Sequence, residues 1–249
     1  MANEQNNTLP QVAIIIDDMG YRATDKRAFE LPEHVTFAIL PHTSQSSEFA
    51  YAAHQQGRTV MLHLPMETLQ PRNLGPGALL DTMDTRFLTE TFEQALASVP
   101  HASGVNNHMG SKLTQLTLPM TTLMQSLMER ELFFVDSRTT RYSKALKIAK
   151  RQGVPSTRRH VFLDHELTHD FIDQQFALLV RLAKKKGRAV GIGHPHPLTI
   201  ERLQQHLSRT EDIEFVSVSA LLDEPMITAT PKIAEAGERL RERVVEAVD

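Results

Sequence analysis

Near its N-terminus the chain contains the run Val12-Ala13-Ile14-Ile15-Ile16-Asp17-Asp18-Met19-Gly20. Five successive apolar residues, mostly β-branched, predict a strand that is covered on both faces, as in a parallel sheet. Gly20 permits a sharp exit from this strand. Two adjacent carboxylates at its end lie where α/β sheets and barrels place their chemistry, at the carboxyl edge. An alternative is that these polar residues only form a turn before the next segment.

The composition is that of an ordinary globular protein of 249 residues, with 41% hydrophobic and 23% charged residues. The net charge is −3 and the sequence shows no basic face, so nothing in it indicates a nucleic-acid-binding protein. The sequence has no run of about 18 apolar residues, so it predicts no membrane span. It also has no cysteine, which leaves His, Asp and Glu as the available metal ligands.

Apolar strand patterns alternate with amphipathic helix patterns along the chain, and we predict about eight strands and seven helices. This alternation implies a parallel sheet with helical crossovers, and the length favours a closed or nearly closed (β/α) barrel over an open sheet. Three residues mark predicted helix starts: Thr85 as a cap, Pro119 at the first helical position, and Thr168 as the cap of the longest central helix.

The predicted barrel domain spans residues 11–223. Residues 1–10 are polar and lack the apolar core of a signal peptide, so we expect a linker that follows a removed export signal. Residues 224–249 predict a charged helical tail, which could pack on the barrel, bind a partner or fray.

Most of the predicted strands end in a residue that can bind a metal or transfer a proton. A single His or acid at a strand end is usually a cap or an ordinary hydrogen-bonding group. Parallel strands bring their carboxyl ends to one rim, so the repetition predicts a divalent metal site, with zinc first and manganese, iron, nickel or cobalt behind. One adjacent carboxylate can bind the ion while the other accepts a proton from water that the ion activates. The residues at these ends are Asp17, Asp18, His63 (with Glu67 shortly after it), His108, Asp136, Asp164 and His194.

Five blocks, spread from about Val12 to Leu222, together carry a family resemblance. They are Ile16-Asp17-Asp18-Met19-Gly20-Tyr21, Leu62-His63-Leu64-Pro65-Met66-Glu67, Asn106-Asn107-His108-Met109-Gly110-Ser111, Phe134-Val135-Asp136-Ser137-Arg138-Thr139-Thr140 and Ile192-Gly193-His194-Pro195-His196-Pro197.

The blocks and their order resemble the divergent polysaccharide deacetylase family, a distant branch of the carbohydrate esterases that remove acetyl groups from chitin-like and peptidoglycan sugars. The resemblance implies a distorted (β/α)7-type barrel with a bound divalent metal and a periplasmic or otherwise extracytoplasmic location. It also implies hydrolysis of N- or O-acetylated envelope polysaccharide.

Four residues match functional positions of the family. Asp17 matches the catalytic base, and Asp18 matches the metal-binding aspartate. His63 matches the first histidine ligand, and His194 matches the histidine that serves as general acid.

The sequence departs from better-known deacetylases at two places. Glu67 occupies the register of the second metal histidine, and Asn107-His108-Met109-Gly110 stands where an arginine-proline-tyrosine block is expected. We therefore predict that Asp18, His63 and His108 bind the ion, with Glu67 as the rival to His108.

The remaining candidates are expected around the metal or in contact with substrate. They are Glu67, Asn107, Asp136, Arg138 and His196. We expect Asp136 to act through hydrogen bonds rather than as a ligand. By contrast, we assign no chemistry to Asp164, which precedes a predicted helix start.

The main alternative to a hydrolase is a catalytically silent module that binds an envelope glycan or protein. The missing arginine-proline-tyrosine block and the charged C-terminal helix favour this alternative. A phosphoester hydrolase is a third possibility, although a rim with few arginines, chiefly Arg138, argues against a phosphate clamp.

Overall fold

The first predicted strand is β1, Gln11–Met19, in the computed structural model, which describes residues 9–223. Within this range the chain forms one α/β domain of nine strands, six α-helices and three 3₁₀ helices. The other strands are β2 Thr36–Ile39, β3 Val60–Met66, β4 Ala102–Met109, β5 Phe133–Asp136, β6 Ser156–Arg158, β7 Val161–Phe162, β8 Arg188–Gly193 and β9 Glu214–Phe215. The α-helices are α1 Ser46–Gln55, α2 Thr85–Ala97, α3 Thr117–Glu129, α4 Ala145–Arg151, α5 His169–Lys186 and α6 Pro197–Arg209. The 3₁₀ helices are Ala23–Glu30, Leu113–Gln115 and Val218–Leu221.

The strands form one curved parallel sheet in the order β6-β5-β4-β3-β2-β1-β8-β7, and β9 pairs with the start of β1. The sheet ends at β6 and β7, which have three and two residues. In the described part of the chain no hydrogen-bonded ladder joins these two ends, so the sheet is open between β6 and β7. The predicted fold class, a distorted (β/α)7-type barrel with helical crossovers, is confirmed.

Alternate residues of each strand contribute to two separate apolar cores. One core lies between the outside of the sheet and the helices, and it contains Val12, Ile14 and Ile16. The other fills the concave side, and it contains Ile15, Met61 and Ile192. Because side chains on a strand alternate with a period of two, the position two residues after each of these three also faces the concave side. Those positions are Asp17, His63 and His194.

The concave core depends on a glycine in β4. A Cβ atom built on Gly104 would lie 2.3 Å from the Phe133 ring. We expect Gly104→Ala to lower the free energy of unfolding by about 1–3 kcal/mol, because the ring must shift in a filled core. Chemical denaturation measures this, with Ser103→Ala at the exposed neighbouring position as the control. Equal stability of the two variants would contradict the packing described here.

Helix boundaries were predicted with mixed success. The Thr168 hydroxyl accepts a hydrogen bond from the Phe171 N–H and caps α5, as predicted. The prediction for Thr85 was wrong by one residue, because the Asp84 carboxylate caps α2. Pro119 is the third residue of α3 rather than the first. Proline still fits there, because the first four N–H groups of a helix have no hydrogen-bond partner within the helix.

The predicted linker (1–10) and charged tail (224–249) fall largely outside the described residues, and the domain division stays a prediction. Within the described range, no helix is both long and apolar enough to span a bilayer.

Candidate metal and catalytic site

The two carboxylates of β1 reach the same site because the strand contains a bulge. Adjacent residues of a regular strand point to opposite faces. In β1, Ile16 pairs with Phe37 but Met19 pairs with Ile39, so β1 contains one extra residue. Asp18 absorbs the bulge with a left-handed φ of 57°. As a result, both carboxylates face His63.

Three side chains bring one ligand atom each to a common point. Asp18 Oδ1 lies 2.9 Å from His108 Nδ1 and 3.1 Å from His63 Nε2, and the two nitrogens are 3.1 Å apart. In the β3–β4 ladder His63 pairs with Asn106, and His108 follows two residues later on the same face. Among the described residues, these three form the single group of His, Asp or Glu donors close enough to hold a metal ion.

The distances between these atoms fit a shared cation. Two ligand atoms about 2.1 Å from one ion stand about 3.0 Å apart at a right angle and about 3.4 Å apart at the tetrahedral angle. The observed separations of 2.9–3.1 Å match three neighbouring ligands at right angles, which leaves further positions for water or substrate. Asp18 Oδ1 is also buried, and no N–H or O–H of residues 9–223 donates a hydrogen bond to it. The donor set therefore fits a divalent metal.

Asn106 fixes the tautomer of His63. The Asn106 Nδ2 amide donates to Asp17 Oδ1 at 2.7 Å, so its Oδ1 faces His63 Nδ1, also at 2.7 Å. An amide oxygen only accepts, and His63 Nδ1 must therefore carry the proton. Nε2 of the neutral ring then presents its lone pair toward Asp18 and His108, as a metal ligand requires.

Asp17 lies beside the three donors without joining them. Its Oδ2 is 3.7 Å from His63 Nε2, while its Oδ1 is held by Asn106. Burial raises the pKa of the Asp17 carboxyl, although nearby His63 and His194 act in the opposite direction. A carboxylate with a raised pKa and one uncommitted oxygen is suited to accept a proton.

His194 reaches the site from the loop after β8. Asp164 accepts hydrogen bonds from His194 Nδ1 at 2.9 Å and from the His194 backbone N–H at 2.6 Å. The ring therefore turns Nε2 toward the site, 3.8 Å from Asp18 Oδ2. Burial alone would lower the pKa of His194, but the hydrogen bond and charge of Asp164, with the charges of Asp18 and Asp17, raise it to about 9. The ring is thus held with its Nε2 directed at the donors, in an environment that favours the protonated form.

Two spaces meet at these residues. The outer cleft, about 400 Å³, is lined by Tyr21, Leu74, Pro76 and His196 among others. The inner cavity, about 170 Å³, is lined by Ser137, Thr139, Arg159, Phe162 and Ile192 among others. Asp18, His108, Met109 and His194 line both spaces. The two spaces are therefore continuous with the same four residues.

Glu67 lies away from the three donors and holds a loop instead. Its carboxylate accepts hydrogen bonds from Lys112 Nζ and from the Asp81 backbone N–H, both at 2.7 Å. The contact with Lys112 is an ion pair. Because both oxygens of Glu67 are engaged, the geometry favours His108 as the third ligand.

We expect Glu67→Gln to bind zinc as tightly as the wild-type protein and His108→Ala to lose affinity by at least about 10-fold, because only the second change removes a nitrogen that faces the cation. Competition with a chromophoric chelator measures both dissociation constants. Thermal unfolding of both variants serves as the folding control. Weaker zinc binding by Glu67→Gln than by His108→Ala would reverse the assignment.

The other predicted residues surround the site without meeting at the donors. Asn107 accepts a hydrogen bond from the Ser137 N–H and donates to the Met109 carbonyl. Asp136 accepts from the Arg138 N–H and the Ser143 hydroxyl, which agrees with a role through hydrogen bonds.

The Arg138 guanidinium contacts the Arg141 carbonyl, so its predicted place at the site is not observed. His196 lines the outer cleft, with its ring centroid 6.1 Å from that of His194.

Three residues with evident roles here had no role assigned from the sequence. Asn106 joins His63 to Asp17, and its position two residues before His108 was a usable signal. Asp164 ends a strand pattern and was assigned no chemistry because it precedes a helix start, but its carboxylate accepts two hydrogen bonds from His194. Arg159 donates to the carbonyl groups of Ser137 and Arg138 and closes one wall of the inner cavity.

Comparisons with known proteins agree with the fold and with the family resemblance. A family model described as divergent polysaccharide deacetylase matches residues 14–222. The chain is 38% identical over 224 residues to the uncharacterized protein YibQ of Escherichia coli K12, covering 89% of this chain and 70% of that protein. It is 39% identical over 213 residues to an uncharacterized protein of Haemophilus influenzae, covering 85% of this chain and 76% of that protein.

A solved structure of an uncharacterized protein from Agrobacterium tumefaciens C58 superposes with a TM-score of 0.81 at 25% identity. The match covers 86% of this chain and 89% of that one. The resemblance drawn from the five sequence blocks is therefore confirmed. The chain belongs to the divergent polysaccharide deacetylase family.

Proposed function

We propose that this protein is a metal-dependent hydrolase that removes acetyl groups from an N- or O-acetylated polysaccharide of the cell envelope. The observation that carries this proposal is the arrangement of three metal donors between a buried carboxylate and a carboxylate-paired imidazole. Family membership supports the substrate class and an extracytoplasmic, periplasmic location. We propose zinc as the ion, held by Asp18, His63 and His108, because imidazole and carboxylate are ligands that zinc accepts.

A bound divalent ion would polarise the acetyl carbonyl and acidify the attacking water. Asp17 takes the proton from that water on its Oδ2, while Asn106 keeps its Oδ1 in place. The water oxygen bonds to the acyl carbon, and the carbon–nitrogen or carbon–oxygen bond to the sugar then breaks.

His194 supplies the proton that the departing sugar nitrogen or oxygen needs. The donor is the Nε2–H, because Nδ1–H is held by Asp164. The products are acetate and a free amine or hydroxyl on the sugar. Asp164 stabilises the imidazolium before transfer and keeps the ring oriented.

The proposal is tested by acetate release. The purified protein, loaded with zinc, is incubated with N-acetylglucosamine oligomers, O-acetylated glycan and peptidoglycan fragments, and acetate is quantified. We expect release from at least one of them, abolished by a chelator and restored by zinc. Tight glycan binding with no acetate from any substrate would instead support the catalytically silent binding module.

A further inference from the structure

The outer cleft has a lining rich in proline and aliphatic residues. Five of the 13 prolines of the chain line it, namely Pro41, Pro65, Pro76, Pro195 and Pro197. Leu40, Leu74 and Met109 add aliphatic side chains. Proline has a fixed φ and no backbone N–H, so these positions offer a rigid surface without a hydrogen-bond donor. The cleft is therefore preformed and largely apolar.

Several polar side chains of the outer cleft are already engaged within the protein. The Thr43 hydroxyl donates to the Gly20 carbonyl at 2.6 Å. Asp25 Oδ2 accepts from the Arg22 N–H at 2.8 Å, and the Asn73 side chain accepts from a backbone N–H of its own loop. These groups hold the walls of the cleft in place, which leaves them less able to bind a ligand.

Few polar side chains remain for a sugar. Apart from the metal-site residues, they are His196 and the exposed residues Tyr21, Arg22 and Thr24. A sugar ring carries several hydroxyl groups, and each one that leaves water without a new hydrogen bond costs free energy. A hydrocarbon chain needs no such partners and gains free energy when it leaves water. The lining therefore favours a hydrocarbon chain over a run of further sugar units.

The outer cleft is also continuous with the proposed reaction site. Asp18, His108 and His194 line it, and the segment 195–197, directly after His194, lines this cleft and not the inner cavity. In the proposed function His194 gives its proton to the departing sugar atom. The sugar and its substituents therefore lie on the side of the outer cleft.

We propose that the outer cleft binds a hydrocarbon chain attached to the sugar, so that the substrate is an acetylated envelope saccharide linked to a lipid. This inference rests on the proposed function and names its substrate class. The acetyl group is held at the donors, and the chain on the sugar lies against the prolines and Leu74. The cleft volume of about 400 Å³ falls within the range of small-molecule sites, about 300–1,000 Å³.

Alkyl glucosides test the cleft without turnover, since they carry no acetyl group. Methyl, hexyl and octyl β-D-glucoside are titrated calorimetrically into the zinc-loaded protein, below their critical micelle concentrations. Each fully buried methylene strengthens binding by about fourfold. Burial is incomplete here because Pro76 and Pro197 are exposed. We therefore expect octyl glucoside to bind at least about 100-fold more tightly than methyl glucoside.

Leu74→Asp and Leu69→Asp make a matched pair in one loop. Leu74 lines the outer cleft, whereas Leu69 is 64% exposed and does not line it. We expect Leu74→Asp to bind octyl glucoside at least about 10-fold more weakly, because a carboxylate would be placed against the chain, and Leu69→Asp to bind it unchanged. Pro76→Asp, at an exposed position of the same cleft, should weaken binding in the same way. Thermal unfolding of all three variants serves as the folding control.

The side of the substrate that carries the chain is tested with two acylated compounds. Octyl N-acetyl-β-D-glucosaminide should release acetate with a kcat/KM at least about 100-fold above that of the methyl glycoside. N-octanoylglucosamine carries the chain on the acyl group instead. Faster release of octanoate than of acetate would place the chain on the acyl side and overturn the inference.

The titrations and the substrate assays separate the two proposals. No acetate release from any substrate would overturn the proposed hydrolase, while the glucoside titrations would still decide what the cleft binds. Equal binding of methyl and octyl glucoside would overturn the inference about the chain. An equal loss of octyl glucoside binding in Leu69→Asp and Leu74→Asp would also overturn it, because the chain would then not lie in the cleft.

Discussion

Replacing Asp17 by asparagine is expected to lower kcat for acetate release by about 10²–10⁴, the usual contribution of a positioned general base. The substitution keeps the shape of the side chain, and the new amide oxygen can still accept the hydrogen bond that Asn106 Nδ2 donates to Asp17 Oδ1. His63 should therefore keep its tautomer, and zinc affinity should stay close to that of the wild type. The change removes only the proton acceptor.

The matched control for this variant is Asp173→Asn. Asp173 pairs with Arg202 and His206 between α5 and α6, away from the donors, so its loss should leave kcat unchanged. Both variants are measured for acetate release under saturating substrate and for zinc affinity. If Asp17→Asn keeps wild-type kcat, Asp17 is not the base. If it loses the ion instead, Asp17 is a ligand.

Replacing Asp18 by asparagine is expected to weaken zinc binding by at least about 100-fold, because the site loses its one anionic ligand. Asparagine tolerates the left-handed backbone at φ 57°, so the bulge in β1 should survive. The rate of acetate release should fall as zinc is lost from the site. Calorimetric titration of zinc into the metal-free protein measures the loss.

Two further substitutions at this position separate backbone from ligand effects. Asp18→Gly should lose zinc as Asp18→Asn does, since glycine also accepts the left-handed region. Asp18→Ala should in addition lose about 1–2 kcal/mol of stability, because its Cβ is strained there. Wild-type zinc affinity in Asp18→Asn would show that this carboxylate does not hold the ion.

The sequence predicts the barrel well because its central strands are buried on both faces and appear as continuous apolar runs. β1 is the clearest example, since Val12 through Ile16 are each 1% exposed or less. The missed strand β6, Ser156-Thr157-Arg158, is a short polar strand at the sheet edge and carries no apolar signal. Its pairing with β5 depends on tertiary structure alone.

The residues of the candidate site are partly predictable for a similar reason. Parallel strands bring His63, His108 and His194 to one rim, and strand ends can be located from apolar patterns. The bulge that turns both Asp17 and Asp18 inward breaks the alternation of side chains. No local sequence pattern predicts this bulge.

Contacts around the site depend on how distant segments meet. Asp164 orients His194 across the β7–β8 pair, 30 residues apart in the chain. Contacts of this kind, in which one residue orients another, are set by tertiary packing, so the sequence could not assign them.

The most direct test of the metal site is anomalous diffraction at the zinc edge from a crystal of the zinc-loaded protein. We expect one strong peak per chain within about 2.0–2.2 Å of Asp18 Oδ1, His63 Nε2 and His108 Nδ1. A map with no peak beside these three atoms, or with its zinc peak elsewhere, would contradict the assignment.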